Sequence, residues 1–136
     1  MRRLFAALLT ATALSLACTA TASADVPPTR CWPVSTKYET NYVCPLWRGA
    51  VSVFWAGRPD SPIVGRLDNG GNANWFSYQC YGRLHRYGPY YNHWWAYTLA
   101  DHNGRWGFVS EVYFAGGDND ERAVGIRTAA SHCWGS

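Results

Sequence analysis

The sequence contains no internal repeat, and no helical hydrophobic period is sustained beyond its first 24 residues. These absences argue against a repeat solenoid and against a bundle of amphipathic helices. Short apolar and aromatic runs are separated instead by Gly, Pro and Asn turns. This pattern predicts an all-β protein built as a small barrel.

The signatures of catalysis are also missing. There is no G-x-S-x-G elbow and no His or Cys spacing typical of a zinc site, so we expect no enzyme activity, no metal and no cofactor. Two acidic sets lack a specific signature: Asp101 with Glu111 is not expected to be a glycosidase pair, and the run 118–121 lacks the full ligand spacing of a calcium loop. Four histidines are expected to be solvated surface residues: His85, His93, His102 and His132.

Net charge is almost absent once the N-terminal segment is excluded. Residues 1–24 hold two of the twelve Lys and Arg residues and none of the nine Asp and Glu residues, which leaves a net charge of about +1. Such a balance argues against binding to nucleic acid or to an anionic membrane through charge neutralisation. Sugar or peptide is the favoured type of ligand.

The N-terminus has the pattern of a secretory signal peptide. Arg2 and Arg3 precede an apolar run from Leu4 to about Ala17, and the small residues 22–24 suit cleavage after Ala24. The run is too short for a membrane-spanning helix, which needs about 20 apolar residues. A second interpretation makes Cys18 a lipid-modified cysteine. We therefore expect a monomer that is secreted, extracellular or associated with the cell wall, without membrane insertion.

Four cysteines remain in residues 25–136, and an even number in an exported chain predicts two disulfides. Sequence alone leaves three pairings open. The pairing Cys44–Cys80 with Cys31–Cys133 is favoured here, because the first bridge would tie the start of the barrel to its middle strand. The second would close the longest loop of the unfolded chain.

Aromatic residues are abundant, with 21 in the 112 residues that follow position 24. A domain of this size buries only about two-thirds of its unfolded surface, so several rings must be partly exposed. Exposed Trp and Tyr rings suit the recognition of sugars and peptides.

The strongest local prediction is a β-hairpin from His93 to Phe114 with a two-residue turn at Asn103-Gly104. Other strands are predicted at 50–55, 63–67 and 74–81, an added strand within 35–46, and a helical turn at 110–113. The segment 83–92 is predicted to be a long loop. The resulting division is a signal peptide at 1–24, an N-terminal arm at 25–46, a barrel at 47–114 and an irregular tail at 115–136.

Strand alternation assigns side chains to faces. Trp94 and Trp95 must point opposite ways, and we expect Trp94 to be exposed. The residues predicted to point inward are Tyr38, Tyr42, Val43, Phe76, Tyr78, Cys80, Trp95, Tyr97 and Phe108.

The order of features from Val51 to Tyr113 resembles the bacterial SH3-like (SH3b) domains of secreted, cell-wall-associated proteins. The features are a V-x-V strand at 51–53, a Gly and Pro loop at 57–62, the strand 63–67, the aromatic and Cys strand 76–80, and a Trp-containing hairpin ending in Gly107-Phe108-Val109. One departure is Phe54-Trp55, where the family often has Arg-Ser.

The resemblance implies a non-catalytic module that recognises peptidoglycan, its peptides or another extracellular polymer. By position, the family's groove would use Trp94 and Tyr113, with Trp55 or Tyr78 nearby. From the residues themselves, the segment 83–92 is basic and aromatic and would suit stacking on sugars or on an acidic polymer, with Tyr90 and Tyr91 among its rings. An alternative is a secreted effector or inhibitor that docks on a protein partner through the same segment.

Overall fold

A computed structural model describes residues 26–134 of the chain. It contains one seven-stranded antiparallel sheet with the spatial order β1-β2-β5-β6-β7-β3-β4. The strands are β1 (Trp32–Ser35), β2 (Thr40–Val43), β3 (Val51–Phe54), β4 (Ile63–Leu67), β5 (Trp75–Tyr87), β6 (Tyr90–Leu99) and β7 (Trp106–Ser110). A short 3-10 turn, Glu111–Tyr113, follows β7. The all-β prediction is confirmed. No helix within residues 26–134 has the length and apolar character needed to cross a membrane.

The main core lies on one face of the sheet and is built from alternating residues of the short strands. Val51 and Val53 are both buried, as their shared face predicts, and they pack with Leu67, Phe76 and Val109. β-branched side chains suit this position because their restricted rotamers fit a pleated surface. The 3-10 turn closes this core, and the hydroxyl of Ser110 caps it by accepting a hydrogen bond from Val112 N at 3.3 Å.

A second, smaller core covers the opposite face and is centred on Trp95. This side chain is fully buried, meets Phe54 edge to face at 5.6 Å, and donates its Nε1–H to Arg83 O at 2.9 Å. Its neighbour Ala96 is buried in the main core. Adjacent residues on a strand point to opposite faces, so both faces of the sheet are covered here. A Cβ at Gly82 would lie 2.3 Å from the indole of Trp95, so the ring needs glycine at that position.

The segment 83–92, predicted to be a long loop, is the end of a β-hairpin. Strand β5 continues to Tyr87, which pairs directly with Tyr90, and only Gly88 and Pro89 lie between them. Gly88 has φ +58°. Because proline cannot adopt positive φ, glycine at the first central position makes this a type II′ connection. The loop prediction is therefore wrong, because it gave no weight to this turn signal.

The connection between β6 and β7 is a hairpin, as predicted, but its turn is longer than two residues. Leu99 pairs with Trp106, and Ala100 N–H donates to Arg105 O at 2.8 Å, so four residues lie within the turn. The positive φ values fall on His102 and Gly104. The side chain of Asn103 donates to Val64 O at 2.7 Å, which ties the turn to β4.

A bulge in β5 changes the predicted alternation. Phe76 pairs with Thr98 and Tyr78 with Tyr97, so β5 carries one extra residue at this point. An extra residue moves the following side chains to the other face. Phe76 therefore lies in the main core, whereas Cys80 lies in the second core with Tyr78 packed against it. The three residues are inward as predicted but do not share one face.

Both cysteine pairings predicted from the sequence are wrong: the bridges are Cys31–Cys44 and Cys80–Cys133. The N-terminal arm folds into the hairpin β1–β2, in which Trp32 pairs with Val43. Extending that antiparallel register by one residue sets Cys31 opposite Cys44, with their Cα atoms 4.4 Å apart. Tyr38, predicted to point inward, lies at the hairpin turn with 87% of its surface exposed.

The C-terminal tail runs back along the sheet. Where β2 stops pairing with β5, tail residues take over: Arg127 O accepts from Gln79 N and Ala129 N donates to Gln79 O, both at 2.8 Å. Cys133 N then donates to Tyr81 O at 3.0 Å. This course brings Cys133 beside Cys80, with Cα atoms 5.6 Å apart. The second bridge joins the tail to the central strand.

Candidate functional site

A depression here called the hairpin cavity has a volume of about 530 Å³. It lies between the start of β6, the 3-10 turn and the tail segment 116–121. The residues on which its chemistry depends are Trp47, Tyr90, Tyr91, Glu111, Asp118 and Glu121.

One wall of the hairpin cavity is aromatic and held in place. Trp47 is 45% exposed and Tyr90 is 54% exposed, and their ring centroids are 6.2 Å apart. The Trp47 Nε1–H donates to Val112 O at 3.0 Å, which fixes the indole against the 3-10 turn. Tyr113 packs on the same indole at 6.2 Å. Exposed rings that are already ordered offer contact area with little entropy to lose.

A basic residue flanks this wall from outside the cavity. The guanidinium of Arg48 lies 5.8 Å from the Trp47 ring centroid and 5.1 Å from that of Tyr87, and it also bonds to the Tyr87 hydroxyl. Arg86 lies 4.9 Å from the ring of Tyr91. The basic and aromatic residues noted in the sequence are thus paired with one another along the hairpin.

Another part of the lining is the acidic tail segment, which docks on the hairpin. Asn119 accepts a hydrogen bond from Tyr91 N at 3.0 Å, and Asp120 Oδ1 contacts both the backbone N and the ring Nδ1 of His93, at 2.9 and 2.7 Å. Glu121 Oε2 accepts from Asp118 N at 2.9 Å. The sequence predicts only a polar tail here. The side chains of Asn119 and Asp120 bring this tail segment into the cavity lining by accepting hydrogen bonds from the backbone of β6.

Glu111 is the buried acid of the hairpin cavity, with 4% of its surface exposed. Its Oε2 accepts a hydrogen bond from Ala123 N at 2.9 Å, and its Oε1 has no partner among residues 26–134. Burial raises the pKa of this carboxyl to about 8, and the Ala123 N–H and the charge of Arg122 oppose the rise only in part. Glu111 is therefore mainly protonated at neutral pH, and its bond to Ala123 holds the tail.

A second depression, here called the disulfide groove, lies next to the Cys80–Cys133 bridge and has a volume of about 440 Å³. Trp55, Tyr78, His132 and Trp134 line it. Trp55 is 69% exposed. Tyr78 stacks on Tyr97 at 5.1 Å, so one face of its ring is already packed and not open to a ligand.

The six residues predicted to bind ligand lie in separate places. Tyr90 and Tyr91 line the hairpin cavity, and Tyr113 supports its Trp47 wall. Trp55 and Tyr78 line the disulfide groove. Trp94, predicted to be exposed, is half-buried and meets Tyr81 edge to face at 5.4 Å. The structure thus does not join Trp94 and Tyr113 in one aromatic cluster.

The acidic and imidazole side chains also have specific partners. Asp101 accepts from Asp68 N at 2.8 Å near the β6–β7 turn, whereas Glu111 bonds to Ala123, so the two do not form a pair. His85 stacks on Trp95 at 5.5 Å, and burial lowers its pKa. The prediction of a solvated surface histidine is wrong for this residue. Residues 26–134 contain no cluster of three His, Cys, Asp or Glu side chains arranged to hold a metal ion.

Trp47 is the site residue that sequence reasoning missed, and Asp118 and Glu121 were considered only as part of a calcium site. Trp47 lies at the predicted junction between arm and barrel. The only sequence feature that could have identified it is the neighbouring Arg48, which gives a basic and aromatic pair like those of the segment 83–92. Comparison with protein-family models, curated proteins and solved structures finds no match for this chain. The case for function therefore depends on the geometry of the hairpin cavity.

Proposed function

We propose that this chain is an exported, non-catalytic binding module of SH3-like type that recognises cell-wall peptidoglycan, its peptides or another extracellular polymer. Export is supported by the N-terminal pattern and by two disulfides, which persist in oxidising compartments. The SH3-like assignment is supported by the order of features between Val51 and Tyr113 and by the antiparallel all-β sheet.

The observation that carries the proposal is the ordered aromatic wall of the hairpin cavity. Trp47 and Tyr90 expose about half of their surface, although Trp47 is tethered by a hydrogen bond and packed on Tyr113. Burying apolar rings of this size would gain free energy, so their exposure favours a role in binding. Their placement beside Asn92 and Asn119, which line the same cavity, gives both stacking and hydrogen-bonding groups.

The test is co-sedimentation of the oxidised mature protein with insoluble peptidoglycan. Trp47→Ala and Tyr90→Ala should each weaken binding by about tenfold or more, because each removes a central aromatic contact. Trp75→Ala is the matched control, since Trp75 is also about half exposed but lies outside both depressions. Equal binding by all four proteins would refute the assignment of the site.

A second candidate function is docking on an extracellular protein through the tip of the β5–β6 hairpin. The observation that favours it is the exposure of Arg86 and Tyr87 next to the Gly88-Pro89 turn and of Arg83 farther back along β5. The double variant Arg83→Ala/Arg86→Ala should abolish capture of a protein partner while leaving polymer binding unchanged. Loss of polymer binding in that variant, with no protein captured, would argue against it.

A further inference from the structure

We propose that the hairpin cavity binds a positively charged amine, of the kind carried by the side chain of lysine or of another diamino acid. The inference rests on the proposed function, because it names the chemistry of the ligand at that same site. Three independent observations support it: the charge of the lining, an unpartnered buried oxygen and the aromatic wall.

The lining of the hairpin cavity is one-sided in charge. Glu111, Asp118 and Glu121 line it, and within residues 26–134 no Lys, Arg or His side chain does. The chain beyond residue 24 is otherwise almost neutral. Neither Asp118 nor Glu121 forms an ion pair with another residue of the described part. An amine placed between these carboxylates would supply the missing opposite charge.

The second observation is the free oxygen of Glu111. The residue is more than nine-tenths buried in the cavity wall, its Oε2 is bonded to Ala123 N, and its Oε1 lacks a partner in the described chain. A buried polar atom without a hydrogen bond is costly, and a hydrogen-bond donor on a ligand would remove that cost. An ammonium group has three donors and no acceptor, so it fits this oxygen once the carboxyl has lost its proton.

The third observation is the aromatic part of the same lining. Trp47 and Tyr90 present ring faces of negative quadrupole, which attract a cation within about 6 Å. The protein already uses this attraction on the outer side, where the Arg48 guanidinium lies 5.8 Å from the Trp47 ring. A lining that combines carboxylates with aromatic rings disfavours an anionic ligand and gives an uncharged one no electrostatic gain.

Binding of an amine should be coupled to the release of a proton. The pKa of Glu111 is raised because its carboxylate is poorly solvated, and a cation beside it favours the ionised form. Affinity should therefore rise with pH between about 6 and 8. Among the described residues, Arg122 acts on this carboxyl through its charge, the same cavity is lined by Asp118 and Glu121 of the tail and by Tyr90 and Tyr91 of the hairpin, and Arg48 lies beside Trp47.

The test is an NMR titration of the oxidised mature protein, followed at the Trp47 indole N–H, with three matched probes. These are the N-acetyl amides of lysine, norleucine and glutamate, which carry a cation, no charge and an anion on similar stems. The lysine probe should bind at least about tenfold more tightly than norleucine. Asp118→Asn and Glu121→Gln should each weaken its binding, and Glu39→Gln, at an exposed acid of the β1–β2 turn, should not.

The proton release gives a second readout. Calorimetric titration in buffers of different ionisation enthalpy should show a proton released on lysine-probe binding near pH 7, and Glu111→Gln should abolish that release. The inference would be overturned if the norleucine probe bound as tightly as the lysine probe, or if the lysine probe bound neither the wild type nor any variant. If peptidoglycan still sediments the protein through Trp47 in that case, the proposed function stands without it. If the lysine probe binds but the polymer does not, the inference stands and the proposal that the natural ligand is a polymer is refuted.

Discussion

The buried carboxyl of Glu111 makes the stability of the fold depend on pH in a direction that can be worked out. Its pKa is about 8 in the folded chain, against an ordinary value of 4.5 when unfolded. Between these values the folded state holds a proton that the unfolded state has lost. The free energy of unfolding should therefore fall as pH rises, by about 1.4 kcal/mol for each pH unit. The stabilising contribution is complete below about pH 4.5 and is lost as pH passes 8.

The magnitude follows from the same two values. Between pH 5 and pH 8 the loss amounts to roughly 3 to 4 kcal/mol, which is a large part of the 5 to 15 kcal/mol typical of a small domain. Glu111→Gln should remove this dependence. Glutamine has the shape of the protonated acid, and its amide oxygen can accept the Ala123 N–H. The variant should match the wild type near pH 5 and exceed its stability by a few kcal/mol at pH 8.

The assay is urea unfolding of the oxidised mature protein at pH 5, 6, 7 and 8, followed by Trp fluorescence. The quantity of interest is the difference between variant and wild type, because the opposite dependence from His85 is common to both proteins. The pKa of His85 is lowered by burial, so its contribution is lost as pH falls. Glu39→Gln, at an exposed position, should shift stability by less than about 0.5 kcal/mol. Parallel pH profiles for Glu111→Gln and wild type would refute the reasoning.

Three further predictions concern the fold. Gly82→Ala should destabilise it by about 1 to 3 kcal/mol in urea unfolding, because the new Cβ would lie 2.3 Å from the Trp95 indole; an unchanged midpoint would mean that the ring can move away. Peptide mapping without reduction should recover the bridges Cys31–Cys44 and Cys80–Cys133. The sequence separation is 53 residues for Cys80–Cys133 and 13 for Cys31–Cys44. On chain entropy, removing Cys80–Cys133 should therefore lower the free energy of unfolding by about 4 kcal/mol, and removing Cys31–Cys44 by about 3 kcal/mol. Mass spectrometry of protein exported from a bacterial host should give an N-terminus at Asp25, and a lipid-modified Cys18 would contradict this.

Local features of the fold followed from nearest neighbours in the sequence. The alternation of Val51 and Val53, the opposite orientation of Trp94 and Trp95, and a short helical turn near residues 110–113 were all predicted and are present, and the structure adds that Ser110 caps the turn. Each depends on a periodicity or a cap that involves only a few consecutive residues. The extent of β5 was predicted wrongly. The segment 83–92 was taken as one long loop, whereas Gly88-Pro89 is a two-residue turn between paired strands.

The candidate site could be predicted only in part, because its walls come from segments far apart in the chain. Tyr90 and Tyr91 were identified from the aromatic segment that contains them. Trp47 and the acidic tail join them only after the tail has folded back along the hairpin. The single groove expected around Trp94 required Tyr113 to lie beside it, and the sheet register places these residues in different clusters.

By itself, the sequence determined the class of fold, the number of disulfides and the surplus of aromatic rings, since these depend on composition and on short periodic patterns. The tertiary structure decided which cysteines meet, because a bridge depends on Cα atoms within about 7 Å and not on the length of the loop that it closes. It also decided the protonation of Glu111. The same carboxyl titrates normally in water and holds its proton here because the tail and the 3-10 turn exclude solvent from it.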